Sequence, residues 1–112
     1  MTTIAPPKPV LAPFPIAAVR DCLRVELIEA IKAEASIKGI ALPAAPVQIA
    51  KTTFQVDSLV VVSLLCAVEP IVGFDLPERV VRAGGYTSVE SALGHLLPRI
   101  EEQWIKRKGT KP

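Results

Sequence analysis

One tripeptide in this 112-residue chain combines the residue types and the placing for chemistry, Asp57-Ser58-Leu59. It follows a proline-punctuated stretch and opens an apolar run, so Asp57 reads as a helix N-cap with Ser58 in the first turn. A helix N-terminus carries about half a unit of positive charge and unpaired N–H groups, a setting that suits a phosphodiester on the serine hydroxyl. Asp57 can cap the helix and also present a carboxylate to a metal ion brought by a modifying enzyme. As a nucleophile in its own right Ser58 is poorly supplied. His95 is the only histidine, and no Gly-x-Ser-x-Gly surrounds the serine.

The other chemical side chains point to less. His95 reads as a surface or internally bonded histidine rather than a ligand or base. Glu101-Glu102 reads as a solvated pair, because adjacent helix positions do not face each other. Cys22 and Cys66 lie in apolar helical patterns with no CxxC or Cys/His spacing, which excludes a structural zinc site and reads as two buried thiols in a reducing cytoplasm. Neither a catalytic set nor a metal-ligand set is expected. The terminal cluster Lys106-Arg107-Lys108 is able to touch phosphate groups of a lipid or coenzyme, although such a tail is usually only a soluble end.

Composition narrows the classes further. Thirteen basic residues against eleven acidic ones leave +2, too little to build a DNA-binding face. A 4% aromatic content argues against a base-stacking platform, so no nucleic-acid partner is expected. The chain has no room for both a cofactor domain and a substrate domain. The most apolar run, residues 59–68, falls short of the roughly 20 residues that cross a bilayer. The first residues lack the early basic charge and unbroken apolar core of a signal peptide. A cytoplasmic chain without a transmembrane segment is expected.

The elements that must position Ser58 are helical. Residues 1–15 hold five of the eleven prolines and are expected to be a flexible or extended tail. From 16 to 38, Val19, Leu23, Leu27, Ile31 and Ala35 recur every four residues, with Gly39 as a stop. Residues 39–56, with Pro43 and Pro46, read as a long loop. The run after Asp57 carries three consecutive valines, and periodicity alone does not separate a helix from a buried strand there. Its length through Val72 and its Asp-Ser start point to helix, with Pro70 kinking or ending it. Residues 78–83 allow one or two helical turns. Thr87 or Ser88 caps a last helix whose apolar stripe is Val89, Leu93, Leu96, Leu97, Ile100 and Trp104. The expected fold is an all-α bundle over residues 16–105, with a long loop between helices one and two and a basic, frayed tail over 106–112.

The order of these elements resembles the acyl carrier proteins, four-helix bundles in which the serine of an Asp-Ser-Leu motif carries a 4′-phosphopantetheine arm. Asp57-Ser58-Leu59 is followed by Leu64 and Ala67-Val68-Glu69. Gly73-Phe74-Asp75-Leu76-Pro77 resembles the family's Gly-hydrophobic-acidic-hydrophobic-Pro, and Thr87-Ser88-Val89 with Ala92-Leu93 resembles its Thr-x-Val and the start of helix four. The resemblance spans residues 54–100.

The resemblance implies that Ser58 is the covalent attachment point of phosphopantetheine, with Asp57 near the metal of a phosphopantetheinyl transferase. The chain would be a substrate of enzymes rather than an enzyme. It would hold an acyl intermediate as a thioester for lipid or polyketide-type biosynthesis, and would be used by an acyl ligase, ketosynthase or acyltransferase. Leu59, Val62, Cys66 and Glu69 fall on the face that docks partners in the family. The sequence also departs from the pattern. Gln55 stands where the family usually has glycine, Val60 and Ser63 stand where it often has acids, and Pro70 interrupts the acidic run after Glu69. So apolar a helix fits one dedicated, apolar-surfaced partner better than electrostatic steering of many. Burial under the long loop and self-association into a dimer are the other uses of that face. The alternative reading from another class is an unmodified, carrier-like interaction module that docks through its apolar second helix.

Overall fold

The computed structural model describes residues 13–108, and the chain within them is all-α. Its helices are α1 (Ile16–Lys38), α2 (Pro46–Lys51), α3 (Ser58–Val72) and α4 (Val89–Lys108), with a single 3-10 turn at Glu78–Val80. None of the described helices is long and apolar enough to cross a membrane.

The four-residue recurrence on α1 becomes one wall of the core. Val19, Leu23, Leu27, Ile31 and Ala35 are all buried. This stripe packs mainly against α3 and α4, which contribute Val61, Leu65, Val68 and Val72 from one and Val89, Ala92, Leu96 and Ile100 from the other. Burying side chains of this size stabilises by about 1.5–3 kcal/mol each, which is why the valine-rich run holds a helix despite its β preference. α1 ends at Gly39 in the left-handed conformation, φ 70°.

Pro70 does not stop α3. The helix continues to Val72 and closes at Gly73, φ 88°, whose N–H donates to the Glu69 carbonyl at 2.7 Å. Ser88, rather than Thr87, starts α4. Its hydroxyl accepts from the Ser91 N–H at 3.0 Å while the Ser91 hydroxyl accepts from the Ser88 N–H at 3.2 Å, a reciprocal capping box.

One sequence-based expectation requires correction. Residues 39–56 are not a continuous loop. Pro46 is the first residue of α2, where its fixed φ favours the helix and its missing N–H costs nothing, and Ile49 and Ala50 are buried beneath it. Of the one or two helical turns expected over residues 78–83, one forms, the 3-10 turn. The limits of the folded part also move outward. α4 runs through 106–108, and Phe14 packs edge-on to Trp104 with ring centroids 5.8 Å apart. The rest of the two expected tails, residues 1–12 and 109–112, lies outside the described residues.

The approach to α3 is tied to the approach to α4. Val56 and Tyr86 form an isolated antiparallel bridge, with the Val56 N–H donating to the Tyr86 carbonyl at 2.7 Å and the Tyr86 N–H to the Val56 carbonyl at 2.9 Å. The Phe54 N–H adds a third bond to the Thr87 carbonyl at 2.7 Å. Gly85, φ 84°, makes this approach possible, because a Cβ there would overlap the Val56 carbonyl oxygen. Gly84 has a similar φ of 89° with open space around it. Gly85→Ala is therefore expected to cost at least about 2 kcal/mol in urea unfolding, and Gly84→Ala about 1 kcal/mol from backbone strain alone.

Candidate functional site

Asp57 closes the segment that the bridge holds. Its backbone is extended, φ −66° and ψ 144°, and its Oδ1 accepts from the Leu59 N–H at 2.8 Å. The Asp-Ser start of the helix is thus seen in its expected place, with Ser58 the first helical residue and half-buried. Gln55, at the position where glycine is usual in the resembling family, is accommodated by a specific bond. Its Nε2 donates to the Gly84 carbonyl at 2.8 Å, adding a side-chain tie beside the backbone bridge.

Ser58 opens on a cavity of about 580 Å³ between the C-terminal half of α1 and the start of α3. Ile31, Phe54 and Val60 give it an apolar wall, and Glu34, Lys38 and Asp57 bring charge to it. The Lys38 ammonium lies 5.9 Å from the centre of the Phe54 ring, a cation–π contact. Neither the cavity nor the part α1 plays in it is evident from sequence. Glu34 and Lys38 are four apart on a helix face that reads as merely solvated, and no local pattern links that face to Ser58.

The residues expected to dock a partner divide into two groups. Leu59 is 76% exposed and Cys66 is exposed, so these two do present an apolar surface on α3. Val62 is half-buried and packs partly against the core. Glu69 has a different task. It is half-buried, and its Oε2 accepts from the Leu76 N–H at 2.8 Å, which pins the connector after α3. The two cysteines are not both buried, as the sequence pattern suggests. Cys22 is half-buried with its Sγ 3.6 Å from the Ala67 carbonyl, and burial, with Glu26 nearby, pushes its thiol up. Cys66 is in the open.

Compared with models of known protein families, with curated proteins and with solved structures, the chain matches none of them. Its function must therefore be argued from the residues themselves.

Below the bridge, the Tyr86 ring is fully buried and its hydroxyl joins two elements. It accepts from the Arg82 N–H at 2.9 Å and lies 2.7 Å from Nδ1 of His95 on α4. With one lone pair of its oxygen already accepting, the phenol can give its hydrogen to Nδ1 of a neutral His95 that keeps its own hydrogen on Nε2, an arrangement that satisfies every group. Burial, then the Arg82 and Arg99 charges, pushes His95 below the ordinary histidine range, in the same direction. His95 is thus an internally bonded histidine that anchors the segment holding Ser58.

Unfolded, His95 titrates near its ordinary value of about 6.5. Its folded value is lower, so the stabilisation is complete above about pH 6.5 and is lost as pH falls through the folded value. Tyr86→Phe would leave both the Arg82 N–H and His95 Nδ1 without this partner. It is expected to cost about 1–3 kcal/mol at neutral pH in urea unfolding. Between about pH 7 and 5 the parent should lose stability more steeply than His95→Gln, which cannot titrate.

Proposed function

We propose that this chain is an acyl-carrier-type protein in which the Ser58 hydroxyl carries 4′-phosphopantetheine. The observation that carries this reading is the setting of Ser58. It is the first residue of a 15-residue helix, capped by Asp57, held by the Val56–Tyr86 bridge and facing a cavity of about 580 Å³.

The residues present suit the group. The unpaired N–H groups at the start of α3 favour a phosphodiester on Ser58, and Lys38 adds a cation on the far wall. Ile31, Phe54 and Val60 offer apolar surface to an arm or its cargo. When bound, the group supplies a thiol that holds a carboxylic intermediate as a thioester. The chain supplies position and identity rather than catalysis. One oxygen of Asp57 is committed to the cap, and its exposed carboxylate is open to the metal of a phosphopantetheinyl transferase.

The scarcity of acidic charge on α3 shapes the partners. Glu69 is its only charged side chain and is committed to the Leu76 N–H. Encounter with an acyl ligase, ketosynthase or acyltransferase then relies on apolar contact at Leu59 and Cys66 rather than on steering. The same exposed Leu59 also supports a second reading, an unmodified interaction module that uses this face alone.

The test combines loading with a cap-preserving variant. Incubated with coenzyme A, magnesium and a broad-specificity phosphopantetheinyl transferase, the parent is expected to gain one phosphopantetheine, and Ser58→Ala none. Asp57→Asn keeps the N-cap, so it should stay within about 0.5 kcal/mol of parent stability while loading at least about tenfold more slowly. No gain in the parent, with a known carrier loaded in the same mixture, would favour the unmodified module.

A further inference from the structure

The turn from α1 into α2 leaves in solvent apolar side chains that neither the core nor the Ser58 site uses. Seven large apolar residues are exposed among the described residues, and three of them, Ile37, Ile40 and Val47, fall within residues 37–47. Ile37, at 81%, and Val47, at 65%, are two of the three most exposed. Single exposed apolar residues are ordinary, but a group of them marks a contact surface. A depression of about 300 Å³ joins the group, lined by Ile40, Leu42 and Pro43 between the end of α1 and Ile49 of α2.

The local structure presents these side chains rather than covering them. α1 ends in a Schellman turn, in which Gly39 is left-handed and the Ile40 N–H donates to the Ala35 carbonyl at 2.8 Å. Such a turn commonly folds its apolar residue back onto the helix, yet Ile40 stays 46% exposed. α2 buries Ile49 and Ala50, which turns Val47 outward, and Lys51 follows Val47 by one helical turn on the same side. The surroundings are basic. From Ala35 to Val56 the only charged residues are Lys38 and Lys51. Neither has an ion pair among the described residues, and the contact of Lys38 with the Phe54 ring leaves its charge in place. Lys32, at the edge of the depression, is offset by Glu29 at 3.4 Å and adds nothing to that charge.

We propose that this end of the bundle docks on an anionic lipid surface, with Ile37, Ile40 and Val47 entering the headgroup region and Lys38 and Lys51 pairing with lipid phosphates. Three side chains supply only part of the roughly 800 Å² that each partner of a stable protein interface buries. A bilayer sets no such minimum. A few apolar side chains with lysines beside them give weak, reversible attachment, the lysine stems lying along the apolar surface. It requires no helix that crosses the membrane, and none of the described helices is able to do so. Lys38 also lines the cavity on which Ser58 opens, so docking brings the Ser58 end of the bundle toward the lipid. The proposal does not depend on modification of Ser58.

The test is co-sedimentation of the unmodified full chain with vesicles of phosphatidylcholine alone and of phosphatidylcholine mixed with phosphatidylglycerol. Binding is expected to the anionic vesicles and to be several-fold weaker to the neutral ones. Ile37→Gln combined with Val47→Gln should weaken it about tenfold, and Lys51→Gln several-fold. Ile105→Gln, at an exposed apolar residue beside the basic end of α4, should leave it unchanged. All four positions are exposed, and circular dichroism should show parent helix content in every variant. Absence of binding to either vesicle would overturn the proposal and leave the patch to a protein partner. Equal binding to both vesicles would also overturn it, as would binding that Ile105→Gln weakens and the Ile37, Val47 pair does not.

Discussion

The pair of hydrogen bonds between Val56 and Tyr86 is the constraint on which the site depends. Two irregular segments, one before α3 and one before α4, have no secondary structure of their own to satisfy their backbone groups. By bonding to each other they bury those groups at little cost and fix the direction from which the chain enters α3. Gly85 permits the approach, Gln55 reinforces it from the exposed side, and Tyr86 reinforces it from the buried side. Asp57 and Ser58 follow directly, so their position is inherited from contacts with a segment almost thirty residues away.

That arrangement suits a chain whose proposed task is to present one hydroxyl. A serine on a mobile loop would also be accessible, but it would be fixed neither to a helix terminus nor beside a cavity. Here the helix start, the cap and the cavity meet at Ser58 because α1, the bridged segment and α3 converge there. The rest of α3 is given to core packing and to an exposed apolar strip headed by Leu59. Glu69, the one charged group on that helix, holds the following connector.

Much of this was legible in the sequence, and the reasons for the rest are physical. The helices α1, α3 and α4 follow from apolar spacing and from capping residues, both of which are local signals. The cap at Asp57 and the stops at Gly39 and Gly73 follow in the same way. α2 was hidden because Pro46, which marks a break when it stands inside an element, begins a helix when it stands at the first position. The Val56–Tyr86 bridge and the Tyr86–His95 bond were hidden because they join residues with no shared periodicity. The cavity beside Ser58 was hidden for the same reason, since Glu34 and Lys38 acquire meaning only once α1 is laid against residues 54–58. The docking face divided because exposure on a helix depends on what packs over it, and this left Leu59 open and Val62 half-covered.

The most direct test of the central claim is peptide-level mass spectrometry of the full chain, co-expressed with a broad-specificity phosphopantetheinyl transferase. The account predicts phosphopantetheine on the peptide that contains Ser58 and on no other serine. Gly85→Ala, which disturbs the bridge while Ser58 and Asp57 themselves stay unsubstituted, should lower the occupancy of that peptide. An unmodified Ser58 beside a fully loaded control carrier would contradict the account.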